Sequence, residues 1–427
     1  MSNFIHSVSL NVSKCKGCTS CLRRCPTEAI RIKDGHAVID SERCIDCGEC
    51  IRACPHKAKK AVCSPFEKIN EFKYKVAMPA PTLYGQFNNL DDIDFCLQGL
   101  LDIGFDDVYE VSYAAEFISG YTRLFLKKEN VKKPIISSAC PVVVRLINLR
   151  YPSLCDNIMP IIPPMELAAI FARQRAKKKH PELKDEDIGI CFISPCPGKS
   201  SYVVNDELGK KENVDVVLAM NDIYFRLLAV MKGERTPRPL SKSGLLGIGW
   251  AVSGGESSAL LSDKYLAADG LENVIKVLEE IDNGKLPELD FVELNACNSG
   301  CVGGILTVEN PYIAKAKMQS LRKYLPVSGA HPDGEIPPEA YFENTNNFKP
   351  IQQFSDNMQE SMKLMSEIQT VCSTLPEIDC GSCGAPTCLA FAEDVVLKGA
   401  DINNCIINMK DYLLQKLEEK KDESYDS

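Results

Sequence analysis

The chain is poor in histidine, has no long apolar run and carries no excess of positive charge. Five histidines among 427 residues supply mixed Cys/His zinc sites poorly. No apolar stretch reaches the roughly 18 residues of a membrane span, and the first residues hold no signal-peptide core. A cytoplasmic protein without a membrane partner is therefore expected. A formal net charge of −9 argues against nucleic acid as a partner. The short basic runs at 127–133 and 173–180 read as solvated helix faces or loops. No PAS, kinase or DNA-binding segment is visible, so any output is expected to pass by contact or electron transfer.

Cysteine is what the chain has in abundance. An intracellular protein does not spend 21 thiols on disulfides, so thiolate ligation of iron–sulfur clusters is the economical reading, and spacing decides it. Length leaves room for two or three domains, and an apolar fraction of 45% is ordinary for a globular chain.

Residues 1–65 contain an internal repeat. "CKGCTSCLRRCP" (15–26) and "CIDCGECIRACP" (44–55) both read C-x2-C-x2-C-x3-C-P. In such two-cluster runs each fourth cysteine crosses to the other cluster. Cys15, Cys18, Cys21 and Cys54 are thus expected to hold one [4Fe–4S] centre, and Cys44, Cys47, Cys50 and Cys25 the other. Two zinc sites are the alternative, but zinc motifs lack the triple-plus-proline pattern. Between the motifs, "AIRI" and "HAVID" flank a "KDG" turn, which predicts a hairpin.

Residues 70–325 read as an α/β body with mostly parallel sheets. Strand-like runs at 72–81, 107–111, 133–140, 187–196 and 214–220 alternate with helical patterns at 91–104 and 165–179. Two of these strands end in a cysteine, Cys140 and Cys196. Open parallel sheets bind ligands just beyond the carboxyl ends of their strands. "NACNSGCVGG" (295–304) adds Cys297 and Cys301, with glycines that let the backbone approach a bulky ligand. These cysteines make a four-thiolate site gathered from three distant segments.

A Pro- and Gly-bearing linker is expected at 326–352, and a small helical iron–sulfur domain at 353–427. The Met, Ile and Val stripe of 353–371 reads as packing. "CGSCGAPTC" (380–388), with Cys405 further on, supplies Cys380, Cys383, Cys388 and Cys405 for another [4Fe–4S] cluster or for zinc. The last dozen residues read as a frayed charged tail. Cys63, Cys96, Cys155, Cys191 and Cys372 lack partners at ligand spacing and are expected to be buried core thiols.

The body resembles the catalytic domain of the [FeFe]-hydrogenases. The family's signatures TSCCP, MPCxxK and MACxxGCxxGG appear here as "SSACP" (137–141), "SPCPGK" (194–199) and "NACNSGCVGG". "MPAPT" (78–82) and "WAVSGGESSAL" (250–260) are similar to two further family stretches. With its altered signatures the chain looks most like the sensory branch often called group D. The resemblance implies a two-lobed hydrogenase domain behind a ferredoxin-like α+β front end. It also implies an H-cluster: a [4Fe–4S] cube on Cys140, Cys196, Cys297 and Cys301 joined through Cys301 to a diiron unit. That unit carries CO, cyanide and an azadithiolate bridge. By the same resemblance Lys199 donates to one cyanide, Thr82 offers a hydroxyl to the other, and Pro81, Pro164 and Trp250 wall the pocket.

The departures concern protons. The relay cysteine of the first signature is Ala139, whose methyl group neither donates nor accepts a proton. The stretch corresponding to the relay carboxylates reads "EFISGYTRLF" (116–125), and Tyr202 stands where the second signature continues to glutamate. Ser194 and Asn295 replace two pocket methionines, making replacement polar groups or water the expected path. The resemblance thus implies slow interconversion of H2 with protons and electrons, serving H2 or redox sensing through an electron-carrier or signalling protein, in a possible homo-oligomer. The alternative is an iron–sulfur electron-transfer or cluster-assembly protein on the same scaffold without the diiron unit.

Overall fold

The computed structural model describes residues 5–205, 213–232, 236–330, 332, 334–342, 354–355 and 357–425. The chain opens with strand β1 (Val8–Leu10), then the hairpin β2 (Ile30–Lys33) and β3 (His36–Ile39), then β4 (Lys59–Ala61). Strand β4 returns antiparallel to β1, so the two cysteine motifs lie between two small sheets. The hairpin turn is Asp34–Gly35, both at positive φ (49° and 74°), the two-residue turn that the "KDG" sequence favours.

The body is two parallel sheets. The larger runs in the order β6 (Asp107–Val108), β5 (Tyr74–Pro79), β8 (Ile188–Ser194), β9 (Val216–Ala219), all parallel. The smaller runs β10 (Tyr265–Asp269), β11 (Phe291–Asn295), β7 (Ile135–Ile136), again parallel. Strand β8 is buried along its whole length, as a central parallel strand covered by helices on both faces must be. Each sheet has its own core: Val76, Met78 and Phe192 in the first, Ile136, Val143 and Val292 in the second. Helices Asp94–Asp102 and Pro164–Lys179 form where their periodicity predicts them. Strands β10 and β11 were not foreseen; β11 carries a glutamate in mid-strand, which breaks the apolar run.

Three expectations are corrected. The described part of the stretch beyond 325 packs on the body: Ile162 N–H donates to Ala340 O at 2.9 Å, and Ser328 Oγ to Glu116 Oε2 at 2.8 Å. Residues 343–352 of the expected linker lie outside the described residues. The Met, Ile and Val stripe of helix Met358–Ser373 packs only in part: Ile368 and Val371 join a core, while Met358, Met362 and Met365 are exposed. The charged tail belongs to a helix, Ile406–Tyr425. Of the five motif-free thiols, Cys96 and Cys191 are buried, while Cys63, Cys155 and Cys372 are half-buried.

Candidate functional site

Cys140 sits at the N-cap of helix Pro141–Arg150, just after β7. Cys196 lies between the end of β8 and helix Pro197–Asn205. Cys297 and Cys301 follow β11 in a loop that turns at Gly300. All four cysteines line one cavity, together with Ala139, Lys199 and Asn295. Pro81, Thr82, Pro164 and Trp250 line it as well. Gly300 stands at φ +85°, and a Cβ there would come within 2.4 Å of the Ser253 nitrogen, so only glycine fits this turn.

The site is electrostatically unfinished as protein alone. Burial pushes the Cys196 thiol up to about 12 and Cys301 to about 11, with the charge on Cys140 adding to each. Burial, then Cys196, holds Cys297 well above the ordinary thiol range. Thiols gathered this closely in one pocket become thiolates together only around a strong local positive charge, which is what bound metal supplies. The Lys199 ammonium pulls Cys196 and Cys301 back down and donates to Ala139 O at 3.2 Å. Thr82 is fully buried, and its hydroxyl has no hydrogen-bond partner among the described residues. A cation and an orphaned hydroxyl beside four thiols fit a metal group that presents anionic acceptors.

Ser194 does not line the cavity. It is fully buried, and its hydroxyl accepts from Cys196 N–H at 3.2 Å and donates to Cys196 O at 3.0 Å, clamping the ligand's backbone. Asn295 does line it, and its Nδ2 donates to Glu293 Oε1 at 2.8 Å. Tyr202 is buried outside the cavity lining. Trp250 Nε1 donates to Ser119 Oγ at 3.0 Å, which fixes the indole on the cavity wall.

Two carboxyl groups escaped the sequence analysis. Glu256 and Glu293 both line the cavity and are only 4% and 3% exposed. Glu256 Oε2 accepts from Ser137 Oγ at 2.6 Å. Glu293 accepts from the N–H groups of Gly254 (3.0 Å) and Ser257 (2.9 Å). Burial, then the charge of Glu293, raises Glu256 well above the carboxylate range; Glu293 is raised too, mainly by burial, against those N–H bonds. Burial and like charge both work against ionising this pair together. Glu256 lay in plain sight within "VSGGESS", and Glu293 was signalled only by its place in an otherwise apolar strand.

Glu116, in contrast, is far from idle but serves the scaffold. Its carboxylate accepts from the N–H groups of Gly244 (2.6 Å), Gly329 (2.7 Å) and Ala330 (2.8 Å), strapping two loops to helix Val111–Phe125. Ser119 and Thr122 on that helix donate to the carbonyls of Ala115 and Ile118, each at 2.9 Å.

The front end holds two further cysteine cavities. Cys54 joins Cys15, Cys18 and Cys21 around one, the outer cavity. Cys25 joins Cys44, Cys47 and Cys50 around another, the inner cavity. The inner one abuts the four-thiol site: Cys47 packs in the same core as Cys140 and Cys196, and Arg52 donates to Gly303 O at 2.9 Å. The outer one faces the C-terminal segment. Ile32, which lines it, donates its N–H to Gly384 O at 2.8 Å, and Arg23 donates to Cys380 O at 2.6 Å. In that segment Cys380, Cys383 and Cys405 lie close enough for their charges to interact, and Cys388 opens helix Cys388–Lys398.

The description "Iron only hydrogenase large subunit, C-terminal domain" matches residues 73–262 and 256–305. A 4Fe-4S dicluster domain matches 7–55, and a putative Fe-S cluster domain matches 375–407. The chain is 24% identical over 364 residues to the periplasmic [Fe] hydrogenase large subunit of Nitratidesulfovibrio vulgaris, covering 70% of this chain and 86% of that protein. It is 23% identical over 288 residues to iron hydrogenase 1 of Clostridium pasteurianum, covering 54% and 50% respectively. Among solved structures, a variant of the [FeFe]-hydrogenase HydA1 of Chlamydomonas reinhardtii is 16% identical with a TM-score of 0.48, over 62% of this chain and 88% of that one. The family match alone spans more than half of the sequence, so the chain belongs to the iron-only hydrogenase large-subunit family and is an [FeFe]-hydrogenase-like iron–sulfur protein.

Proposed function

We propose that this chain carries an H-cluster and interconverts H2 with two protons and two electrons at a low rate. The observation that carries the reading is the convergence of Cys140, Cys196, Cys297 and Cys301 on a cavity that also presents Lys199 and the unpartnered Thr82 hydroxyl. When bound, the diiron unit supplies the metals at which the H–H bond is made or broken. Cys301 would hold both the cube and the diiron unit, and Lys199 and Thr82 would orient the unit's anionic ligands. Pro81, Pro164 and Trp250 exclude water.

Proton delivery passes through Glu256 and Glu293 in place of the missing thiol at Ala139. Glu256 holds the proton, Ser137 ties its carboxyl beside Ala139, and Asn295 extends the polar path from Glu293 toward the cysteines. Electrons pass from a [4Fe–4S] centre on Cys380, Cys383, Cys388 and Cys405 to the outer cavity, the inner cavity and the four-thiol site. The contacts of Ile32 with Gly384 and of Arg52 with Gly303 support that order. A slow enzyme with three additional clusters suits a cytoplasmic H2 or redox sensor that reports to an electron-carrier or signalling protein.

Ala139 also favours a second reading, an electron-transfer or cluster-assembly protein without the diiron unit. Infrared spectroscopy of the protein matured with the diiron cofactor separates the two. Metal-bound CO and cyanide stretches are expected; their absence from protein with a full complement of cluster iron leaves the second reading.

A further inference from the structure

The two halves of the front-end repeat share one backbone pattern after their last cysteine but not the same inward side chain. In the first half, Cys25 is followed by "PTEAI" to Ile30; in the second, Cys54 is followed by "PHKAK" to Lys59. The alanine N–H of each half donates to its own cysteine sulfur, Ala29 to Cys25 and Ala58 to Cys54, both at 3.2 Å. The next side chain turns inward in both halves. Ile30 is 2% exposed and lines the inner cavity; Lys59 is 3% exposed and lines the outer one. One cavity thus meets a hydrocarbon where its twin meets an ammonium.

Nothing among the described residues answers that charge. The Lys59 Nζ is buried without a hydrogen-bond partner, and no ion pair to it occurs among the described residues. An unpaired buried ammonium is costly, and lysine is almost never fully buried unless paired. Lys59 lines the outer cavity together with Cys15, Cys18, Cys21 and Cys54. Lys59 therefore points at the space where, on the reading above, thiolate-ligated clusters sit. Such a cluster is anionic, and reduction adds one electron and one further negative charge, so a fixed cation beside it favours the reduced form.

We propose that Lys59 is the built-in counter-charge of the front-end clusters, raising the reduction potential of the outer cluster above that of its twin. An electron entering from either end then comes to rest at the outer cluster, between the C-terminal centre and the inner one. The inner twin, with Ile30 at the matching position, has no such charge lining its cavity and stays the harder of the two to reduce.

The test is a potentiometric titration, followed by electron paramagnetic resonance, of the full chain loaded with iron and sulfide but not with the diiron unit. Lys59→Ile copies the residue of the twin half, and Lys59→Gln removes the charge while keeping a polar side chain. Both are expected to hold wild-type iron and to lower one front-end midpoint by a factor of at least ten in the reduction equilibrium. For one electron that factor is about 59 mV. Lys59→Arg is expected to keep the wild-type titration. Unchanged midpoints in the neutral variants overturn the proposal. Loss of iron from both neutral variants overturns it too, because the lysine then holds the cluster instead of setting its potential. Too little iron in the wild-type front end marks failure of the cluster reading itself, and iron analysis shows it before any titration.

Discussion

The Lys199 ammonium lies 3.2 Å from the carbonyl oxygen of Ala139, so the cation of the second signature is anchored on the residue that lacks a thiol in the first. Ser137 binds the N–H of that same alanine at 3.1 Å while donating to Glu256 at 2.6 Å. Position 139 is therefore held from both sides, on the cavity wall, without taking part in proton movement. Ala139→Cys would set a thiol into a backbone already positioned for it. Hydrogen turnover is expected to rise on the order of 10²-fold, the lower end for a general acid–base group, with a new limb in its pH profile. An unchanged rate and profile in assays of the matured protein would count against the missing relay as the cause of slow turnover.

Glu256 is the group on which the replacement proton path stands. Its folded value is raised, first by burial and then by Glu293, so the unfolded chain loses this proton at lower pH, near ~4.3. Above that pH the unfolded chain binds fewer protons than the fold, and the stability that Glu256 contributes declines as pH climbs toward the folded value. Glu256→Gln keeps the shape and removes the titration. Its melting temperature should gain on wild type as pH rises from about 5 to about 8, while turnover falls on the order of 10²-fold. Full turnover in this variant would remove Glu256 from the path.

The C-terminal segment is held to the front end by charge. Arg31 pairs with Asp394 and Arg43 with Glu393, and the side chains of the first pair are only 9% and 12% exposed. Taking one partner from a buried pair leaves the other charge uncompensated, at a cost of about 3 kcal/mol. Asp394→Ala should therefore loosen the contact at Ile32, whose N–H is bound by Gly384 O at 2.8 Å. Hydrogen exchange at Ile32 is expected to quicken about 10²-fold, with the amides of β8 unchanged. Equal protection of Ile32 in variant and wild type would show that other contacts hold the segment.

The cysteine sets were legible because ligand spacing is a local property. The C-x2-C-x2-C-x3-C-P repeat pairs Cys54 with Cys15, Cys18 and Cys21 by a rule of chain geometry, and the cavities group them that way. Cys140 and Cys196 could be joined to Cys297 and Cys301 because each of the first two lies in the loop that follows a parallel strand, where such folds place their ligands. Ser194 was misjudged for the opposite reason. Its substitution for methionine is visible in one dimension, but the direction of its hydroxyl, toward the Cys196 backbone, is set by the turn at the end of β8.

Residue order by itself decided which cysteines of the front-end repeat face a common cavity, since short spacings limit which sulfurs can meet, whereas the four-thiol cavity needed three distant segments to converge. Tertiary packing alone decided which charges lie against those sites. Glu256, Glu293 and Lys59 look in isolation like ordinary solvated residues, and "KAKK" looks like a surface run. They acquire a role only when distant segments close over them and remove the water, because an ion's energy depends on what surrounds it far more than on its neighbours along the chain.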